Sequence, residues 1–165
     1  SAGAGCGMNR ALRIYISGPI TGMPKLNRPA FEAAAEQIRA AGFLPVNPFE
    51  LIDQDRAARE GWQWSDYMRV DIAALCECDA IVLLDGWMLS DGAQLEQRIA
   101  SALGMPKLTR TMVASYLISA RAAQFLPDQR MNSVRRAIAR ASDLMMAAEA
   151  KQLAEQILAN LDGAA

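Results

Sequence analysis

The stretch Asp79–Asp85, which reads D-A-I-V-L-L-D, decides the fold. Its central residues, Ala80–Leu84, are all apolar, and a short run of this kind between charged residues is typical of a strand that a parallel sheet buries on both faces. Two earlier runs also predict strands: L-R-I-Y-I at Leu12–Ile16 and F-L-P-V at Phe43–Val46. We expect the second of these at a sheet edge, because Pro45 has no N–H to donate to a neighbouring strand.

Helix signals lie between and after the predicted strands, as polar caps at the start and glycines just past the end. The predicted helices begin at the Asn27 cap, the Ser65 cap and Asp91, and they end near Ala41, Glu77 and Leu103. The polar segment Leu51–Gly61 carries no clear pattern. Strands and helices therefore alternate over Leu12–Leu108, which predicts an α/β fold: an open parallel sheet with flanking helices, in a three-layer arrangement of the Rossmann-like or flavodoxin-like kind.

The remainder of the chain differs from this alternating part. Residues Thr109–Ala165 show almost no strand signal and predict a helical extension, with helices over Met112–Phe125 and Met131–Leu161. The last helix carries two apolar stripes on different sides, so we expect the extension to build the interface of a homo-oligomer. The alternative is a helical hairpin that folds back on its own domain. Ser1–Gly7 (S-A-G-A-G-C-G) reads as a cloning scar, which leaves residues 8–108 as the α/β domain.

The composition argues against several classes of protein. Lys plus Arg number 17 and Asp plus Glu number 18, and this balance argues against a nucleic-acid binder with a broad basic surface. No apolar run approaches the roughly 18 residues of a membrane span, so no membrane partner is expected. The sequence has no histidine, which removes Ser-His-Asp and Cys-His catalysis and His-ligated zinc. Acid–base chemistry then falls to carboxylates, Tyr, Lys or Cys.

The cysteines are Cys6, Cys76 and Cys78, an odd number that favours a reducing compartment. We therefore expect a cytoplasmic protein. Cys76 and Cys78 lack the further ligands that a zinc site needs, so no metal is expected. The chain has neither a GxGxxG nor a GxxxxGK[ST] motif, so we expect no dinucleotide or triphosphate cofactor.

Candidate site residues gather where the predicted strands end, because ligands of open α/β sheets bind outside the carboxyl ends of the strands. Those that follow the first strand are Ser17, Gly18 and Pro19. Those that follow the central strand and reach into the next helix are Asp85, Ser90, Asp91, Gly92 and Glu96. A helix N-terminus favours an anion, so Ser90 is a candidate phosphate ligand; it also fits a plain N-cap, and the two roles can coexist.

Two carboxylates and one phenol suggest acid–base chemistry. Asp71 shares a predicted helix side with Trp64 and Tyr67, although it also fits a surface acid. Glu96 lies beside the helix stripe that we expect to be buried, which consists of Leu95, Ile99 and Leu103. At one crevice with the phenol of Tyr15, one carboxylate can be the nucleophile, the other can carry the proton, and the phenol can orient the nucleophile.

A series of short motifs occurs in a fixed order along the chain. They are Y-I-S-G-P-I at Tyr15–Ile20, Asp71, D-A-I-V-L-L at Asp79–Leu84, S-x-G-A-x-x-E at Ser90–Glu96 and A-L-G-x-P at Ala102–Pro106. Together they resemble the nucleoside 2-deoxyribosyltransferase superfamily, over about Arg13–Leu108. The resemblance implies cleavage of the N-glycosidic bond of (deoxy)nucleosides or of their 5′-monophosphates.

The resemblance also implies roles for individual residues. Glu96 matches the family nucleophile that attacks the anomeric carbon, Tyr15 matches the tyrosine that orients it, and Asp71 matches the aspartate on the side of the base and the proton transfer. Six residues before the nucleophile, the transferase branch has an aspartate that reads a free sugar hydroxyl. The 2′-deoxynucleoside 5′-phosphate N-hydrolase branch has a serine there that binds the 5′-phosphate. This chain has Ser90, which favours nucleotide monophosphates.

The sequence departs from the family pattern at two places. K-L-T-R at residues 107–110 stands where the family has an apolar strand. Thr21 stands where the hydrolase branch has a basic residue, for which Lys25 or Arg28 is a substitute. Two other functions stay open: a non-catalytic nucleotide-binding or sensing protein on the same fold, and a structural oligomer built on the helical extension.

Overall fold

The computed structural model of the protein describes residues 11–124 together with residues 140, 143, 144 and 147. The strands in this part of the chain are β1 (Arg13–Ser17), β2 (Leu44–Val46), β3 (Ala80–Leu83) and β4 (Lys107–Leu108). They form one parallel sheet in the order β2-β1-β3-β4. The predicted open parallel sheet is confirmed, and β2 lies at its edge, as Pro45 indicates.

Helices cover both faces of this sheet, which gives the three layers of the prediction. They are α1 (Arg28–Ala40), α2 (Pro48–Leu51), α3 (Gln54–Glu60), α4 (Trp64–Cys76), α5 (Asp91–Ala102) and α6 (Val113–Gln124). Single turns of 3-10 helix occur at Pro24–Asn27, Trp87–Leu89 and Arg110–Met112. The helices α1, α4, α5 and α6 begin and end within about two residues of their predicted bounds.

The core lies on both sides of the sheet because strand side chains alternate between its faces. On one face, Ile14 and Val82 pack with Phe31 of α1 and Tyr116 of α6. On the other face, a second buried cluster lies beneath α4 and α5 and includes Tyr15, Leu75, Ile81 and Ala100. This parity directs Tyr15, and Ser17 two residues later, toward the α4 and α5 side.

Two helix caps differ from their predictions. Asn27 precedes α1, but it has a φ of 60° and its side chain does not cap the helix. Its amide Nδ2 instead donates to the carbonyl oxygen of Pro19 at 2.9 Å, which ties together the two ends of the loop after β1. The N-cap of α4 is Gln63 rather than Ser65, and the Asp66 carboxylate accepts from the Gln63 N–H at 2.8 Å.

The segment without a clear pattern, Leu51–Gly61, contains α3, and α2 lies just before it. Each begins at a side-chain cap: the Asn47 oxygen accepts from the Phe49 N–H at 3.1 Å, and the Asp53 carboxylate accepts from the Arg56 N–H at 3.0 Å. Helices of four and seven residues are too short to show a periodicity. Only boundary signals mark them in the sequence: the two caps, Pro48 at the start of α2 and Gly61 after α3.

K-L-T-R departs from the apolar strand of the family pattern, yet Lys107–Leu108 pairs with β3 as β4. Leu108 is buried in the core beneath α1 and α6. Lys107 is 3% exposed, and its ammonium group forms an ion pair with the carboxylate of Asp143. A charged residue therefore occupies a buried position of an edge strand and pairs with an acidic residue from later in the chain.

The buried face of α5 also differs from the prediction. Its buried residues are Ala93, Glu96 and Ala100, whereas Leu103 is 55% exposed. Small alanines let α5 lie close to the sheet, and this brings the Glu96 carboxyl to the hydroxyl groups of β1. The expected stripe of Leu95, Ile99 and Leu103 assumed that apolar residues mark the buried side.

The helical extension lies only partly within the described residues. The predicted helix Met112–Phe125 is present as α6, and its Val113, Tyr116 and Ala120 belong to the core. The predicted helix Met131–Leu161 falls outside the described residues except at residues 140, 143, 144 and 147, which are helical. The proposed scar at residues 1–7 also falls outside. Among the described helices, none combines the length and the apolar character that crossing a membrane requires.

Candidate active site

A cleft of about 800 Å³ opens at the carboxyl ends of β1 and β3, between the loop after β1 and the helices α4 and α5. The chain goes from β1 to β2 on one side and then returns to β3 on the other side. The gap between β1 and β3 is therefore the switch point of the topology, where open α/β sheets bind their ligands. Of the predicted site residues, those that line the cleft are Ser17, Gly18, Asp71, Ser90, Asp91, Gly92 and Glu96.

Glu96 lies at the inner end of this cleft, with both carboxylate oxygens hydrogen-bonded. The Tyr15 hydroxyl donates to Oε1 at 2.8 Å, and the Ser17 hydroxyl donates to Oε2 at 2.5 Å. Glu96 is 5% exposed, and both donors are fully buried. Because β1 presents Tyr15 and Ser17 on one face and α5 presents Glu96 toward it, three side chains from two elements form one rigid group.

Burial raises the pKa of Glu96 from 4.5 to about 7. The hydrogen bonds from Ser17 and Tyr15 act in the opposite direction because they stabilise the carboxylate, and the nearby charge of Asp71 adds a further upward push. Near neutral pH, Glu96 therefore exists both as a carboxylate and as a carboxylic acid.

Tyr15 stays protonated beside this carboxyl group. Burial, followed by the negative charges of Glu96 and Asp71, raises the pKa of the phenol well above its usual value of 10.0. A phenol that does not ionise remains a hydrogen-bond donor over the whole working pH range. Tyr15 does not line the cleft, so its hydroxyl contacts Glu96 and would not contact a ligand bound there.

Asp71 of α4 faces the same cleft and is 7% exposed. The surface position that remained an alternative for this residue is therefore wrong. Its Oδ1 has no hydrogen-bond partner among the described residues, and burial raises the pKa of its carboxyl from 3.8 to about 6. An acid that is buried, lacks a partner at one oxygen and titrates in this range can give up or take a proton near neutral pH.

Ser90 and Gly92 shape the wall of the cleft at the start of α5. The Ser90 hydroxyl oxygen accepts from the Ala93 N–H at 3.3 Å, so the predicted N-cap is confirmed. Its hydroxyl hydrogen can still be donated to a ligand. A methyl group at Gly92 would lie 3.4 Å from the sulfur of Met68 and 3.9 Å from the indole nitrogen of Trp64, so glycine keeps this side of the cleft open.

Gly18 allows the chain to pass close to Leu84 where β1 and β3 end. A Cβ atom on Gly18 would lie only 2.8 Å from the Cβ of Leu84, the residue after β3. The other two predicted binding residues, Pro19 and Asp85, do not line the cleft: Pro19 is held by Asn27 at its carbonyl, and Asp85 is exposed. Ser17 lines the cleft, but its hydroxyl hydrogen is committed to Glu96.

An apolar wall completes the cleft. Trp64 and Tyr67 line it together with Asp71, as their shared helix side predicted. No sequence pattern pointed to Phe49 in this wall, because it lies in α2, which is too short to show a periodicity. The Phe49 ring packs edge-on against Phe31 with centroids 5.2 Å apart, and the Arg28 guanidinium lies 4.4 Å above it.

The charge of the lining is acidic. Among the described residues that line the cleft, Asp71, Asp91 and Glu96 are acidic and none is Lys or Arg. Arg28, held over Phe49, places a cation next to the lining. Within the described part of the chain, no three cysteine or acidic side chains are grouped in a way that could hold a metal ion.

The comparison with known families gives one match. Residues 12–109 match the model of a domain of unknown function, DUF4406. The matched segment begins just before β1 and ends just after β4, so it contains the sheet and every site residue described above. No curated protein matches the chain.

Proposed function

The chain belongs to the DUF4406 family, and we propose that it cleaves or transfers at the N-glycosidic bond of nucleosides or nucleoside 5′-monophosphates, with Glu96 as the nucleophile. One observation carries the proposal: a buried carboxylate at the switch point of the sheet, held at both oxygens by Tyr15 and Ser17. A carboxylate that merely stabilised the fold would not need a cleft of about 800 Å³ in front of it. The resemblance of Tyr15, Asp71 and Glu96 to the nucleoside 2-deoxyribosyltransferase site supports the same chemistry.

The first step is a displacement at the anomeric carbon of the sugar. An oxygen of Glu96 forms a bond to this carbon while the bond to the base nitrogen breaks, and the electron pair of that bond goes to the base. The product is a glycosyl ester of Glu96 and a base that needs a proton. Tyr15 and Ser17 hold the carboxylate in a single orientation, which lowers the entropic part of the barrier.

Asp71 is the group that delivers the proton to the departing base. With a pKa of about 6, it holds a proton in part of the molecules near neutral pH, and its Oδ1 has no competing partner among the described residues. In the second step a water molecule, or a second base in a transfer reaction, attacks the same carbon and releases Glu96. Asp71, now a carboxylate, accepts the proton of the attacking water.

The 5′-monophosphate is the substrate that Ser90 favours. Its hydroxyl can donate to a phosphate oxygen, the N-terminus of α5 favours an anion, and Arg28 stands beside the lining. The acidic lining repels a phosphate less strongly than its three carboxyl groups would if all of them were ionised. The raised pKa values of Asp71 and Glu96 keep a share of both groups uncharged near neutral pH.

The apolar wall fits the base of such a substrate. Trp64, Tyr67 and Phe49 offer aromatic surface to the cleft, which the buried carboxyl groups of Asp71 and Glu96 also line. Aromatic rings stack on flat heterocycles, and a stacked base would place its glycosidic bond toward the carboxylates.

The test is chromatography for free base after incubation with a panel of nucleosides and 5′-monophosphates. We expect base release from at least one member of the panel, with the 5′-monophosphates converted faster. Tight binding of a nucleotide without any product would instead support the sensing protein. No binding and no product across the panel would contradict the proposed function.

A further inference from the structure

Ser17 is the less expected of the two groups that hold Glu96. It is the last residue of β1, it is fully buried, and its hydroxyl donates to Glu96 Oε2 at 2.5 Å. Tyr15, two residues earlier on the same face, donates to the other oxygen at 2.8 Å. Each carboxylate oxygen therefore has its own hydroxyl donor, and both donors come from one strand.

The position of Ser17 is fixed by its backbone. It pairs in register with Leu83 of β3, and its carbonyl oxygen accepts from the Leu84 N–H at 2.8 Å. Gly18, immediately after it, is held in close contact with Leu84. A serine has one hydroxyl hydrogen, so Ser17 cannot donate to a substrate while it donates to Glu96.

We propose that Ser17 is a positioning residue whose hydroxyl, together with that of Tyr15, keeps the buried Glu96 carboxylate ionised and oriented for attack. The role rests on the proposed function of Glu96. It replaces the expectation that Ser17 contacts the substrate, since the only hydrogen it can donate is directed at Glu96.

The physical reason is a balance between burial and hydrogen bonding. Burial disfavours the charged form of Glu96, whereas each hydrogen bond to the carboxylate favours it. The titratable groups that face Glu96 from the packed elements are Tyr15 on β1 and Asp71 on α4, and β3 contributes none. Neither group would replace the lost donor, because Tyr15 is already bound to Oε1 and Asp71 carries negative charge when ionised.

The first test measures the ionisation of Glu96 directly and needs no substrate. The protein is labelled with carbon-13 at the glutamate side-chain carboxyls, and the Glu96 signal is assigned by its loss in Glu96→Gln. In Ser17→Ala we expect the titration midpoint of Glu96 to rise by about one to two pH units, the shift that loss of one hydrogen bond to a charged group produces. The control is Ser101→Ala, on the exposed side of α5, the helix that also carries Glu96. This variant should leave the midpoint unchanged.

A second variant keeps the test decisive if Ser17→Ala fails to fold. Ser17→Cys keeps a weak donor of similar size, so its midpoint should lie between those of the wild type and Ser17→Ala. If Ser17→Ala does not give the circular dichroism spectrum of the wild type, Ser17→Cys alone decides the question. A midpoint within a few tenths of the wild-type value in a folded variant would overturn the proposal.

The pH profile of base release separates positioning from a general structural role. Glu96 acts only when ionised, so its activity is present above its pKa, and a raised pKa moves the acid limb of kcat/KM to higher pH. Ser17→Ala should therefore lose about tenfold or more at pH 6 and recover most of that loss at pH 9. An equal loss at every pH would contradict the role of Ser17. Absence of turnover by the wild type would contradict the proposed function and leave the carboxyl titration as the test of Ser17.

Discussion

Single residues of β1 determine what the cleft can do. Tyr15 and Ser17 are two positions apart, so the alternation of the strand brings both hydroxyls to the face on which α5 packs. The resemblance named Glu96, Tyr15 and Asp71, and the end of the first predicted strand placed Ser17 in the site. It did not give the contact between Ser17 and Glu96, because neither spacing nor periodicity tells which hydroxyl reaches which carboxylate across 79 residues.

The raised pKa of Glu96 predicts that stability falls with rising pH. Its pKa rises from the ordinary 4.5 to about 7 in the fold, so the folded state binds the proton more tightly between these values. Stability due to this group is present below about pH 4.5 and is lost as the pH rises through about 7.

Glu96→Gln removes this penalty. From pH 5 to pH 8, the unfolding free energy of the wild type should fall by about 1–3 kcal/mol more than that of Glu96→Gln. Urea unfolding at the two pH values measures the difference. Parallel changes with pH in the wild type and the variant would contradict the raised pKa.

In α5, the sequence predicted the bounds and the cap of the helix but only part of its buried side. The bounds agreed within one residue and the Ser90 cap was confirmed, and Ile99 packs against the core, whereas Leu103 is 55% exposed. A prediction from hydrophobic periodicity assumes that an acidic residue is exposed. Glu96 is buried instead, because β1 supplies two hydrogen-bond donors to its carboxylate. The side of a helix that meets a sheet depends on such partners, which are not visible in the helix itself.

Ser90→Asp tests the recognition role of the α5 cap while it preserves the cap. Aspartate is as good an N-cap as serine, so the thermal midpoint should change little. Its negative charge repels a phosphate, so a wild-type preference for 5′-monophosphates over nucleosides should reverse. Competition between one nucleoside and its monophosphate measures the preference in both proteins. A wild type that prefers the free nucleoside would refute phosphate recognition by Ser90.

At the scale of the whole molecule, the alternation of apolar runs and capped helices was enough to predict the parallel sheet and its flanking helices. It missed β4, since a buried lysine in a two-residue strand has no apolar signature. It also missed α2 and α3, which are too short for a period. The failure at β4 has a further cause, because Asp143, which pairs with Lys107, lies far away in the sequence.

The ion pair between Lys107 and Asp143 links the helical extension to the edge strand of the sheet. Asp143→Asn removes the negative partner of an ammonium group that is almost fully buried, so we expect a loss of about 1–3 kcal/mol in unfolding free energy. Glu77→Gln, at an exposed position after α4, is the control and should unfold like the wild type. An unchanged unfolding midpoint in Asp143→Asn would show that this link contributes nothing to stability.

The helical extension also carries the prediction of a homo-oligomer. Ile118 is 72% exposed and Leu144 is 74% exposed in the single chain, so we expect these side chains at the interface if the oligomer forms through the extension. Ile118→Glu and Leu144→Glu should fold normally but shift the mass toward 17.9 kDa in light scattering coupled to size exclusion. Leu103→Glu, at a 55% exposed position immediately after α5, is the control outside the extension. A wild-type monomer at micromolar concentration would contradict the oligomer, and an oligomer unaffected by both variants would remove these side chains from its interface.

The most direct test of Glu96 as the nucleophile compares base release by the wild type, Glu96→Gln and the control Glu77→Gln on the best substrate of the panel. Glutamine keeps the shape of the side chain and removes its charge, so turnover by Glu96→Gln should fall by several powers of ten, while Glu77→Gln should match the wild type. Release of base by Glu96→Gln at a rate near that of the wild type would contradict the account.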